Sequence, residues 1–170
     1  MNTIKEWADF YTEKRLWVYP YNLEEKEWLY WKSMKSNYDY NDLFQTWDWN
    51  KSAGIKLVIG KKGVRVIEVS NKRLLKKALQ LLDLPENYSW IICHTSGYGI
   101  IVDTPNVSKC VSGMTNKSYK SLQLLWEGYY VLPCVGVPRY FYKNNIPTEH
   151  PKQVTDEVYV NCVKDLIKNI

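Results

Sequence analysis

The chain has 170 residues, with 23 Lys and Arg against 18 Asp and Glu, a net charge of +5 with neutral histidines. Apolar residues at 45% and charged residues at 24% are ordinary for a globular protein, and 14 Tyr, 8 Trp and 3 Phe exclude a disordered chain, which is poor in aromatics. A chain of this length buries a sizeable core without staples and reads as one domain over residues 1–170.

Met1 to Glu6 lacks the apolar stretch of a signal peptide, and no run approaches the roughly 18 apolar residues of a membrane span, so no membrane partner is expected. Cys93, Cys110, Cys134 and Cys162 lie far apart with no C-x-x-C spacing, which reads as free thiols in a reducing cytoplasm. Only His94 and His150 could join them, so no metal site is expected.

Taken in chain order, Ile4, Trp7, Ala8, Phe10 and Tyr11 recur at helical spacing and predict a helix over 3–15. Leu16 to Pro20 reads as a short strand stopped by proline. Residues 23–40 read as loop, and Asn41 or Asp42 as the cap of a short helix carrying Leu43, Phe44 and Trp47. Ile55 to Ile59 and Val64 to Val69 are β-rich runs around Gly60-Lys61-Lys62-Gly63, which predicts a hairpin. Asn71 caps a helix to about Leu82, with Leu74, Leu75, Ala78, Leu79 and Leu82 on one face and Pro85 beyond its end. Trp90 to Cys93 is a buried strand, and Gly97-Tyr98-Gly99 turns into Ile100 to Val102. A second hairpin is predicted from Ser121–Leu125 and Tyr129–Leu132 around Glu127-Gly128, and a last helix from Thr155, with Val158, Val160, Cys162, Val163, Leu166 and Ile167 mostly inward. The fold class is α+β, a mixed and largely antiparallel sheet with helices packed on it.

Charge is concentrated in one place. Lys61, Lys62, Arg65, Lys72, Arg73, Lys76 and Lys77 face only Glu68, so this stretch carries +6 and the rest of the chain −1. Two readings stand, a solvated helix face or a phosphate-contacting patch. Thr95-Ser96-Gly97-Tyr98-Gly99 follows a buried strand, and its two glycines suit either a plain turn or a backbone cradle for phosphate; it is not a P-loop. Glu68 shares a strand face with Val64 and Val66, either at a sheet end in water or as a functional carboxylate in a cleft. Trp28, Tyr30, Trp31, Tyr38, Tyr40, Trp47 and Trp49 are core residues or base-stacking ones. His94 has no nucleophile partner in the sequence and reads as structural.

In its order of elements the chain resembles the N-terminal prim-pol domain of bifunctional DNA primase/polymerases, in the archaeo-eukaryotic primase superfamily, over roughly residues 10–168. The landmarks are Trp17-Val18-Tyr19-Pro20, Trp31-Lys32, the helix with Trp47, the two runs Ile55–Gly60 and Val64–Val69, Leu84-Pro85, the Ser96-Gly97 turn, Leu122–Pro133, Arg139-Tyr140-Phe141-Tyr142 and Pro147. The resemblance implies an acidic-x-acidic metal-binding pair, a basic residue after the Ser-Gly turn and a third carboxylate on a later strand. Here the acidic pair falls on Glu68 and Ser70, and the third acid near Gln123. The family's histidine position is Ile100. The related domain of virulence-associated-E-type proteins, whose S-G-x-G turn fits Ser96 to Gly99 better, puts a lysine where Ile101 stands.

One acid of three therefore remains, whereas two-metal nucleotidyl transfer needs several carboxylates around Mg²⁺ or Mn²⁺. The expectation is a degenerate primase/polymerase-like domain that binds nucleic acid or nucleotide without catalysis and without a cofactor; the resemblance implies a replication or mobile-element context for it. Lys61, Lys62, Arg65, Lys72 and Arg73 are the expected phosphate contacts, with Ser96, Gly97 and Gly99 as the backbone cradle. Two alternatives remain. One is an active enzyme using Glu68 and Asp103 with Mn²⁺ or Mg²⁺; the other is a protein-interaction module with an aromatic patch around Trp28 to Tyr40.

Overall fold

A computed structural model describes residues 1–22, 36–60, 63–105 and 115–170. Lys61, Lys62, Cys110, Trp28, Tyr30 and Trp31 lie outside these. The chain divides into two compact units, Met1–Val58 with Tyr129–Pro138 and Ile59–Gly128 with Arg139–Ile170.

The first unit is built on aromatic packing. Helix α1 (Ile4–Glu13) starts where the Thr3 hydroxyl accepts the Glu6 N–H, and it buries Ala8 and Tyr11. Strand β1 (Val18–Pro20) follows, then helix α2 (Asn37–Thr46). The sequence places the cap of α2 at Asn41 or Asp42. Ser36 holds that role instead, its hydroxyl accepting the Asp39 N–H at 3.2 Å, so the helix begins earlier. Trp17 stacks on Tyr40 with ring centroids 5.5 Å apart, and Phe44 and Trp49 extend the cluster.

Strands β2 (Ile55–Ile59) and β8 (Gly128–Leu132) complete a three-stranded sheet in the order β1-β2-β8. Proline is tolerated in β1 because that strand is at the edge. The Trp17 carbonyl accepts the Val58 N–H at 2.8 Å and the Tyr21 N–H donates to the Gly54 carbonyl at 3.0 Å, so Val18 turns its backbone outward. The Tyr40 hydroxyl meets it there, accepting the Val18 N–H and donating to the Val18 carbonyl, both at 3.1 Å. One phenol thereby closes the open side of an edge strand, whose unpaired groups would otherwise cost stability.

The second unit is a six-stranded antiparallel sheet in the order β6-β7-β3-β5-β4-β9. Its strands are β3 (Val64–Val69), β4 (Ile91–His94), β5 (Gly97–Asp103), β6 (Lys117–Ser118), β7 (Leu122–Leu125) and β9 (Tyr140–Phe141). Helices α3 (Lys72–Leu81) and α4 (Asp156–Lys168) cover one face, capped by the Asn71 and Thr155 side chains as the sequence predicts. The core between them joins Ile67 and Val69 of β3 to Ile91, Ile100, Val102, Leu122 and Leu124, and to the α3 leucines. In α4 the inward residues are Tyr159, Cys162, Val163 and Leu166; Tyr159 takes the place expected of Val160. The α+β class with antiparallel sheets is as the sequence implies.

Neither predicted hairpin forms. β2 pairs with β1 and β8, whereas both edges of β3 are taken by β5 and β7. Likewise β7 and β8 belong to different sheets. The glycines at both sites do adopt left-handed backbone, Gly60 at φ 101° and Gly128 at φ 105°, but they carry the chain from one sheet to the other rather than folding it back. Among the described residues, tight reversals join β4 to β5 through Thr95-Ser96 and β6 to β7 through Tyr119 to Ser121.

Burial holds the phenols of Tyr11, Tyr40, Tyr88 and Tyr159 above their ordinary value of 10.0. A raised phenol is neutral in the folded chain and ionises first in the unfolded one. Its contribution is complete below pH 10 and falls as pH rises beyond it. Urea midpoints should therefore hold steady from neutral pH to about 9 and drop above 10. Tyr40→Phe should cost about 1–3 kcal/mol at neutral pH, because Val18 loses its partner. An unchanged midpoint in that variant would contradict the edge-closing role.

Candidate functional site

Alternation along β3 decides which side chains meet. Ile67 and Val69 enter the helix-covered core, so Glu68 points to the opposite face of the sheet. In register, Glu68 lies opposite Gly99 on β5 and opposite Gln123 on β7. Gly99 in turn lies opposite Ile92 on β4, two residues before His94. With no side chain at Gly99, His94 reaches across to Glu68, and Nε2 stands 2.6 Å from Oε1. Both side chains are largely covered, 10% exposed for His94 and 16% for Glu68.

The geometry also sets the histidine tautomer. The Ser96 backbone N–H can only donate, and it points to His94 Nδ1 at 3.2 Å. Nδ1 therefore accepts, and Nε2 carries the proton donated to Glu68. Both ring nitrogens are engaged, which makes His94 a clamp on the carboxylate.

The end of the sheet where β3 stops is polar and basic. Ser70 donates its N–H to the Ser121 carbonyl at 3.1 Å, and Ser70 is exposed. The Thr95-Ser96 turn abuts it, since a Cβ on Gly97 would lie 2.2 Å from the Val69 carbonyl oxygen and 2.9 Å from Ser70 Cα. Gly97, at φ 138°, is thus the only residue type that fits there. Helix α3 begins at the same end, with exposed Lys72 and Arg73 and no acidic residue in its first turn. Those cations add to the positive end of the helix dipole instead of offsetting it. Lys120, also exposed, precedes Ser121.

The residues singled out from sequence thus fall into distinct groups. Glu68, Gln123, Ser70 and Ser96 come together at one end of the sheet, with Lys72 and Arg73 at its border. Lys61 and Lys62 lie outside the described residues. Ile100 is fully buried on the helix side opposite Ile67, so the family's basic position faces away from Glu68.

Two expectations are corrected. Arg65 is not an exposed cation: it is 2% exposed, on the helix side of β3. Its guanidinium carbon lies 3.9 Å from the Trp126 ring centroid, and Nη1 donates to the Val64 carbonyl at 3.0 Å. Burial pulls its pKa down, and Tyr159, Asp103 and Glu127 oppose that shift. Nor do Ser96, Gly97 and Gly99 form a backbone cradle. Gly97 and Gly99 are inside β5, which has a strand on each side, so their amides belong to the ladder. The Ser96 amide is occupied by His94.

Asp103 stands apart from Glu68. It lies opposite Val64, four positions along β3 from the Glu68–Gly99 pair, about 13 Å at the rise of a strand. Its Oδ2 is 2.8 Å from His150 Nε2. The two carboxylates do not converge. Of the aromatics, Tyr40 and Trp49 are core and Trp47 is half-buried, while the side chain of Tyr38 is outside the described set. Among the described residues no three His, Cys, Asp or Glu side chains gather to hold a metal ion. No helix among them is long and apolar enough to cross a membrane.

Sequence reasoning missed the His94 clamp. Its signal was positional: His94 ends a strand two residues before a Ser-Gly turn, on the same alternation as Ile92. The chain matches no family model and no curated protein.

Gly97→Ala should destabilise the fold by about 3 kcal/mol, because the added methyl strikes the Val69 carbonyl and the backbone there excludes L side chains. Equilibrium denaturation reads this directly, and a cost under about 1 kcal/mol would contradict the tight approach of turn and strand.

Proposed function

We propose that the chain is a primase/polymerase-like domain that binds nucleic acid or nucleotide and no longer transfers nucleotides. The observation that carries the reading is the register pair Glu68–Gln123 beside the Ser96-Gly97 turn. The resemblance assigns the acidic pair, the later acid and the Ser-Gly turn to these positions, and they share one end of one sheet. Lys72, Arg73 and Lys120 border that end, and an anion there is favoured by both the cations and the helix dipole.

The donor set does not suit the metals of nucleotidyl transfer. Mg²⁺ and Mn²⁺ are held by several carboxylates. This site offers one, Glu68, clamped by His94, with neutral oxygens at Gln123 and Ser70. In this reading Asp103 belongs to a separate pair with His150. With Cys93, Cys134 and Cys162 as free thiols, we place the domain in the cytoplasm.

The test is binding of a fluorescent single-stranded oligonucleotide by anisotropy between 50 and 300 mM salt, on the order of the range over which phosphate contacts are read. Lys72→Ala with Arg73→Ala should weaken binding and flatten the log affinity–log salt slope by roughly 0.7 per lost contact. An unchanged slope and affinity would remove Lys72 and Arg73 from the interface and the reading with them.

A further inference from the structure

The three-stranded sheet of the first unit carries a cluster that the preceding site does not use. Tyr19 and Lys56 are register partners on β1 and β2, so their side chains share a face. Tyr21, two residues beyond Tyr19, and Tyr129, at the start of β8, close around the same lysine. Lys56 Nζ lies 4.1 Å from the Tyr129 ring centroid, 4.5 Å from that of Tyr21 and 5.8 Å from that of Tyr19. Tyr21 is 44% exposed and Tyr129 51%, whereas Tyr19 is buried beneath. Among the described residues no carboxylate pairs with Lys56, and burial draws its pKa down. A partly desolvated cation with rings on its flanks is stabilised by an anion that also offers flat surfaces.

We propose that Tyr21, Lys56 and Tyr129 form a stacking platform for unpaired bases of single-stranded nucleic acid, with Lys56 taking a backbone phosphate. Exposed tyrosine faces beside a cation are what single strands use, since every base has a stacking face and every link a phosphate. A duplex keeps its bases stacked on each other and offers the rings no face. An acidic peptide satisfies the lysine but leaves both rings unused. The platform stands on residues other than Lys72 and Arg73, in the other unit, so it fails or holds independently of them.

The experiment uses the full chain with three ligands: labelled oligothymidylate, a duplex of the same length, and polyglutamate as competitor. Tyr21→Ala with Tyr129→Ala should lower affinity for oligothymidylate about tenfold or more while leaving the salt slope unchanged. Tyr21→Phe with Tyr129→Phe should keep affinity, because the rings remain. Lys56→Met should flatten the salt slope by about 0.7. Thermal melts of the variants show that each is folded. If the alanine pair binds within twofold of the parent, or duplex or polyglutamate competes as well as the single strand, the platform is refuted. Loss in the tyrosine variants with Lys72→Ala/Arg73→Ala unaffected refutes the other site alone, and no binding by the parent chain refutes both.

Discussion

Strand β3 is held on both edges, by β5 on one side and β7 on the other, in a register that fixes the second unit. Because side chains alternate, that register sends Ile67 and Val69 into the core under α3 and α4 and leaves Glu68 on the opposite face. A slip of one residue would exchange the two sets, burying a carboxylate and exposing the apolar pair, so the packing and the site are specified together. Gly99 and Gly97 are part of the same constraint. The first leaves space across which His94 reaches Glu68, and the second lets the turn lie against the end of β3.

Much of this arrangement was legible in the chain. The caps Asn71 and Thr155, the leucine face of α3 and the near-continuous apolar run of β3 are local signals, and they act locally. The sequence could not say which edges would pair. Gly60-Lys61-Lys62-Gly63 and Glu127-Gly128 have the composition of hairpin turns, yet strand edges are allotted by competition among all the strands. Two partners distant in sequence, β5 and β7, took one edge of β3 each. The same limit applies to Arg65. Beside Lys61 and Lys62 it reads as one more surface cation, and only the fold reveals Trp126 waiting to stack on it.

The site was legible in part for similar reasons. The pattern of the resemblance points to Glu68, Ser70, Gln123 and Ser96; in the fold Glu68 lies opposite Gln123, and the turn after Ser96 lies against Ser70. His94 has no partner among its sequence neighbours; its partner, Glu68, arrives on β3. Gly-x-Gly is common in phosphate turns, whereas here Gly97 opens β5 and Gly99 lies within it, both paired to β4. The Lys56 cluster is not legible in the chain because the lysine and its aromatics come from three separated segments. Among the described residues the exposed cations of the +6 stretch are Lys72, Arg73, Lys76 and Lys77, all on α3.

In the proposed function this sheet carries a binding site without the donor set for nucleotidyl transfer. Primer extension measures that most directly: the purified chain, a primed template, all four dNTPs and Mn²⁺, beside the Glu68→Ala variant. The account predicts no incorporation by the parent chain above the level of the variant. Incorporation that Glu68→Ala abolishes would contradict it and would restore an active site around that carboxylate.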